Sequence, residues 1–234
     1  PTNGFSYLLQ LLEQHNISNN NNQQLAQRRL TNEEAIQFQH MLQRRLQHEP
    51  IQYILGEWDF YDFTLKCRAP ILCPRPETEE LVDWVRQCMV SYPRMQQQQE
   101  DEVPRNIRIL DVGCGTGAIG LALARLFPQC NVVAIDISQE AVNLSMENAA
   151  LLQINDNDNN TSSFPRYQAI CCSVKDFTNH RYDKPQGNPD YYFEFDLVVS
   201  NPPYIPASDM LTLTRDVSQY ESHDALYGGS EDGL

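Results

Sequence analysis

The sequence lacks any apolar run near the ~18 uninterrupted residues of a membrane-spanning helix. Its longest, Ala118 to Phe127, is broken by Gly120 and Arg125. With a mean hydropathy of −0.51, that excludes a membrane-embedded helical protein. Cys-x-x-Cys is missing, and so is any Cys/His cluster at zinc spacing. The seven cysteines (Cys67, Cys73, Cys88, Cys114, Cys130, Cys171 and Cys172) are scattered and odd in number. This excludes a disulfide framework and a structural metal site, and it suits a reducing compartment. Basic residues are few: 17 Lys and Arg against 31 Asp and Glu, a net charge of −14. A surface that neutralises many phosphates should be basic, so direct nucleic-acid binding is not expected. The five histidines stand apart from one another and read as surface residues. The chain starts at Pro1 with no signal or transit segment in view, which says little about location.

What is present is a chain of 234 residues, 41% apolar and 21% charged. That is enough for one large or two small domains at roughly 100–200 residues each. Polar low-complexity tracts at 19–24, 96–102, 155–163 and 179–190 cannot bury apolar area and read as solvated loops. Residues 1–50 read as a small helical module. Phe5, Leu8, Leu9 and Leu12 share one helix face, and Thr31-Asn-Glu-Glu34 is a capping-box start for a second helix with Ala35, Phe38, Leu42 and Leu46 on its stripe. Its Arg28, Arg29, Arg44 and Arg45 read as a solvated face or a partner surface. Residues 51–75 alternate apolar and polar, with a turn near Asp62, and predict a β-hairpin or extended connector. Residues 76–234 form the third unit. A helix over Glu77–Ser91 comes first. Strands at Ile107–Val112, Val132–Ile135, Tyr167–Cys172 and Phe195–Ser200 then alternate with helices at Gly117–Phe127 and from Ser138 to about Leu152. That alternation implies an α/β fold with a parallel sheet.

Two constellations carry chemistry. The first is Asp111-Val-Gly113-Cys-Gly115-Thr-Gly117, between a strand end and a helix start. Glycines there let the backbone turn sharply and approach a ligand closely, and the helix start offers unpaired N–H groups. Asp136 ends the next strand, 19 residues beyond Gly117, where a carboxylate can accept from both hydroxyls of a ribose. The stretch fits S-adenosyl-L-methionine or a nicotinamide dinucleotide, since Gly115-x-Gly117-x-x-Gly120 also matches the dinucleotide fingerprint. Asp111 favours the former: a carboxylate there repels a pyrophosphate and can pair with the amino group of a methionine moiety.

The second is Asn201-Pro202-Pro203-Tyr204 at the carboxyl end of the last strand, the edge where open α/β sheets bind ligands. The prolines stiffen the turn and remove N–H donors, leaving carbonyls. With the Asn201 side-chain oxygen they can present acceptors to an –NH2 group, and Tyr204 offers an aromatic face. The pair reads as a clamp for the nitrogen of an amide or a base.

On these residues the sequence resembles the HemK/PrmC protein-(glutamine-N5) methyltransferases of peptide chain release factors. The resemblance extends through Glu49–Gly56, Leu72–Glu79, Val199–Ile205 and Ala225–Leu234, in family order. It implies a Rossmann-like class I methyltransferase sheet behind an all-helical module that recognises the release factor. Family members continue past the position of Leu234, so the sheet is expected to be C-terminally incomplete. The implied reaction moves a methyl group from S-adenosyl-L-methionine to a glutamine side-chain amide. Asn201, Pro202 and Tyr204 are the implied catalytic residues. Asp111, Gly113, Gly115, Gly117, Asp136, Asp176 and Asn201 are assigned to the cofactor. Pro203, Arg75 and Glu77 join the clamp residues as substrate contacts, with Arg75 and Glu77 resting on the resemblance alone. Asn/Gln tracts together with a bacterial-type module point to an organelle, the mitochondrion first. The alternatives are an adenine-N6 methyltransferase, an inactive module that binds the release factor, and a nicotinamide-dependent dehydrogenase.

Overall fold

The computed structural model describes residues 31–91, 107–155, 165–179 and 195–229. The expected first helix with its Phe5–Leu12 stripe, Arg28 and Arg29, and most of the polar tracts lie outside those residues. Helix α1 (Asn32–Leu46) opens with the capping box read from its sequence: Thr31 Oγ1 accepts from Glu34 N at 3.2 Å, and Glu34 Oε2 accepts from Thr31 N at 2.8 Å. Arg44 and Arg45, at its other end, are not a solvated face. The Arg44 guanidinium grips Glu49 and donates to the carbonyls of Tyr53 and Ile54, and Arg45 donates to the Glu49 carbonyl at 3.0 Å. They join α1 to the next element.

That element corrects the reading of residues 51–75 as extended. Ile51–Leu55 is a short helix, α2, and the hairpin is confined to β1 (Glu57–Phe60) and β2 (Phe63–Lys66). Pro50 starts the helix where a missing N–H costs nothing, and Gly56, left-handed at φ 81°, closes it. Tyr61 and Asp62 form the turn, so the hairpin tip lies where it was expected. Phe60, Phe63 and Leu65 enter the same core as Val82, Ile109 and Leu121. Helix α3 (Pro76–Ser91) buries Thr78, Val82, Val85 and Met89, with Leu81 packed at the margin.

Strands β3 (Ile107–Val112), β4 (Cys130–Asp136), β5 (Tyr167–Cys171) and β6 (Leu197–Ser200) all pair in parallel, in the order β5-β4-β3-β6. Parallel neighbours need crossovers. Helix α4 (Ala118–Leu126) supplies the first, and α5 (Gln139–Leu151), capped by Ser138, the second, while a short helix, α6 (Val174–Asn179), follows β5. Each strand lies within two residues of its expected bounds. The order makes the site: the chain runs outward through β3, β4 and β5, then returns to the other side of β3 as β6. A crevice opens at the carboxyl ends where the winding reverses, and both motif loops leave the sheet there.

After β6 the chain forms a strap of short elements, α7 (Ala207–Met210), α8 (Arg215–Tyr220) and a 3-10 turn at His223–Ala225. It is tied down at several points. Ser222 N donates to the Pro70 carbonyl at 2.8 Å, Tyr220 OH to the Gln47 carbonyl at 3.0 Å, and Ile205 N to the Leu226 carbonyl at 2.9 Å. Among the described residues no helix is long and apolar enough to cross a membrane, and no group of His, Cys, Asp and Glu could hold a metal ion.

Candidate functional site

The crevice is a cavity of about 600 Å³. The glycine turn and Asp136 form one side, the 70–74 stretch and Thr78 another, and Asn201 with Pro203 a third, while Ser222, Asp224 and Ala225 of the strap close it. The two motif loops, 84 residues apart between Gly117 and Asn201, therefore face one space.

Gly113, Gly115 and Gly117 have φ of 73°, 54° and 84°, the left-handed region that side chains avoid. Gly113 N donates to the Ile135 carbonyl at 2.8 Å, which pins the turn to β4. Gly115 N donates to Asp136 Oδ2 and Ser138 N to Asp136 Oδ1, both at 2.9 Å. Asp136 is thus held by two backbone donors at the cavity wall, and each oxygen keeps a lone pair for a ligand hydroxyl. Asn148, fully buried on α5, fastens the turn from behind: its Nδ2 donates to the Thr116 carbonyl at 2.9 Å, and its Oδ1 accepts from Lys66 N at 2.8 Å.

Asp111 and Gly117 do not reach the cavity wall. The Asp111 carboxylate is 1% exposed beneath the turn, where Oδ2 accepts from Gly120 N at 3.0 Å and satisfies a donor of the α4 start. A Cβ on Gly120 would lie 2.8 Å from that oxygen, so no larger residue fits. Asp111 Oδ1 has no hydrogen-bond partner among the described residues. Burial pushes its carboxyl up to about 7; the Gly120 N–H opposes the rise and the charge of Asp136 adds to it. Asp111 therefore meets no ligand directly; from beneath the turn its charged fraction favours a cation over a pyrophosphate, which suits the sulfonium cofactor expected from the sequence.

Asn201 lines the cavity at the end of β6, in a register fixed by Val112↔Ser200 pairing and by Ser200 Oγ donating to the Val112 carbonyl at 2.9 Å. Its Nδ2 donates to Thr78 Oγ1 at 3.5 Å. Pro203 shares the wall; Pro202 and Tyr204 do not, and the Tyr204 ring is 63% exposed at the rim. Asp176 lies off the wall on the short helix Val174–Asn179, where its Oδ2 accepts from Ser173 Oγ at 2.7 Å. At that edge the cavity is lined instead by Ile137, Cys172 and Val174, an apolar slot for a planar group. Glu77 is exposed and outside the cavity, and Arg75 is committed to Glu221 at 2.6 and 2.8 Å. Thr78, Asn148, Cys172 and most of the strap were not singled out from the sequence; of these Thr78 and the strap's Ala225 carried a signal, standing inside the family-like Leu72–Glu79 and Ala225–Leu234 stretches.

The chain was compared with known proteins. A methyltransferase domain model matches residues 104–216, and a PrmC N-terminal domain model matches residues 10–56. The human MTRF1L release factor glutamine methyltransferase is 38% identical over 86% of this chain and 54% of that protein. The release factor glutamine methyltransferases of Streptococcus pneumoniae and Flavobacterium psychrophilum are 35% and 32% identical over 89% and 88% of this chain, each covered to 61%. The chain therefore spans between half and two thirds of these relatives.

Proposed function

From its 32–38% identity to release factor glutamine methyltransferases and its match to the PrmC N-terminal domain, we propose that the chain belongs to that family and methylates the side-chain amide nitrogen of a glutamine in a peptide chain release factor, with S-adenosyl-L-methionine as donor. The observation that carries this reading is that Asn201, the Gly113–Gly115 turn and Asp136 line one cavity.

The donor supplies an electrophilic sulfonium methyl group; the rest of the chemistry falls to the protein. Asp136 accepts from ribose hydroxyls, Gly113 and Gly115 bring bare backbone to the ligand, and Asp111 acts as a charge beneath the turn. A carboxamide nitrogen is a poor nucleophile because its lone pair is delocalised, and no group near neutral pH readily deprotonates it. Position and electrostatics must do the work. Asn201 Oδ1 and the Pro202 carbonyl accept the two amide N–H bonds, which orients the nitrogen and favours positive charge growing on it. Tyr204 gives the arriving amide an aromatic face. The excess proton leaves afterwards, so no dedicated base is required. The PrmC-like module supports release-factor recognition, and with the Asn/Gln tracts it supports an organellar setting, the mitochondrion first; a tagged protein confined to the cytosolic fraction would contradict that placement.

The test is transfer of labelled methyl from S-adenosyl-L-methionine by the chain, as it stands and extended to the length of its relatives, offered release factors or adenine-containing oligonucleotides. Mass mapping should find the label on a glutamine amide; label on adenine instead would overturn the reading. A second expectation concerns the cofactor alone. Asp136→Ala removes the ribose acceptor and unties Gly115 and Ser138. At about 1.5–3 kcal/mol for hydrogen bonds to a charged group, calorimetry should record roughly 10–100-fold weaker cofactor binding. Unaltered affinity would remove the ribose role.

A further inference from the structure

The clamp has a weakness that the sequence motif does not reveal. An asparagine amide can turn by half a revolution about its last bond, exchanging oxygen for nitrogen. In one orientation Asn201 presents an acceptor to an incoming –NH2 group; in the other it presents a donor, and two donors repel. The backbone of Asn-Pro-Pro-Tyr fixes where the side chain starts, not which way its amide faces. Some other group has to choose.

The structure assigns that choice to Thr78, as a positioning residue for Asn201. Thr78 lies in the first turn of α3, where its own N–H donates to the Arg75 carbonyl at 3.0 Å. It is 9% exposed and lines the same cavity as Asn201. Its Oγ1, 3.5 Å from Asn201 Nδ2, is the one hydrogen-bond partner of the Asn201 side chain among the described residues, and Oδ1 accepts from none of them. A hydroxyl can accept from an amide or donate to it; here Thr78 Oγ1 accepts from Nδ2, and this turns Oδ1 away from α3. The contact is long and its geometry modest, which suits a group that biases one torsion rather than one that anchors the fold. A β-branched hydroxyl residue is apt for the task, because its restricted χ1 holds the oxygen steady.

This inference rests on the methyl-transfer reading and refines it: Thr78, although it lines the cavity, is assigned to Asn201 rather than to donor or substrate. Thr78→Val keeps the shape and deletes the acceptor. With a hydrogen bond worth about 0.5–1.5 kcal/mol net, kcat for methyl transfer should fall by up to about tenfold, with cofactor affinity by calorimetry unchanged. Thr78→Ser, which restores the oxygen, should recover most of the rate. A purely structural role would instead lower thermal stability and cofactor affinity together, and serine would not rescue kcat selectively. A readout independent of turnover is the Asn201 side-chain –NH2 pair in the 15N–1H spectrum of the full chain. Thr78→Val should shift this pair and speed its exchange with solvent, and Thr78→Ser should leave it near its original position. If valine changes neither kcat nor the amide pair, the inference is wrong. If the parent methylates adenine rather than glutamine, the substrate reading fails while the Thr78 result still stands or falls alone, because an exocyclic amine needs the same acceptor.

Discussion

Asn201→Ala should lower methyl transfer to a glutamine-containing release factor by roughly two to three orders of magnitude, the usual loss on removing one group that stabilises developing charge. Cofactor binding should change little. Asn201 enters the cavity from β6, while Asp136 and Gly115 line it from the glycine turn. Among the described residues its side chain makes one hydrogen bond, at 3.5 Å to Thr78, whose side chain lines the cavity, so deleting it opens no cavity in the core. The loss should therefore appear in kcat, with the melting temperature nearly constant. Single-turnover rates beside calorimetric cofactor affinity separate these quantities. A variant that transfers methyl groups at the parental rate would remove the clamp from the mechanism, and one that fails to bind cofactor would show that Asn201 belongs to the other side of the site.

The parts of this site that could be read from residues alone are those where a backbone requirement selects a residue type. Gly113, Gly115 and Gly117 occupy left-handed φ values; the two prolines stiffen the second turn; apolar strands with helical spacing between them gave the sheet to within two residues. Thr31 and Ser138 declared their helix starts because capping is local chemistry. What could not be read is what depends on chain order folding back in space. Nothing near Arg75 indicates that its partner is Glu221, 146 residues away. Asp111 reads as a ligand contact from its place before the glycines, yet the depth of β3 sets its carboxylate under the turn, against Gly120. Ile51–Leu55 reads as extended because five residues are too few to display helical periodicity, and only the Pro50 and Gly56 boundaries mark it.

The strap over the cavity is held by charge, which leads to the second large effect. Arg75→Leu should destabilise the protein by about 3 kcal/mol at neutral pH, toward the lower end of what removing one partner of a buried pair costs. The Glu221 side chain is 1% exposed. With arginine gone it retains one donor, Cys73 N at 3.4 Å. Burial already raises the Glu221 carboxyl above its ordinary value even with Arg75 and the Cys73 N–H drawing it down; loss of the guanidinium removes the larger restraint. A carboxyl raised in the folded state contributes stability that is complete below its unfolded value, about 4.3, and is lost as pH rises through the folded value. The variant should thus approach the parent in acid and fall away from it between pH 5 and pH 8. Urea unfolding at those two pH values checks this. Adding Glu221→Gln should recover much of the loss at pH 8, since a neutral amide tolerates the site and can still accept from Cys73 N. The same break should loosen Ser222, Asp224 and Ala225, the next residues on the strap and part of the cavity wall, so cofactor affinity should weaken in step with the pH-dependent instability. A loss of equal size at both pH values would mean that Arg75 contributes packing rather than charge, and that the strap is fastened by its backbone bonds to Pro70 and Ile205.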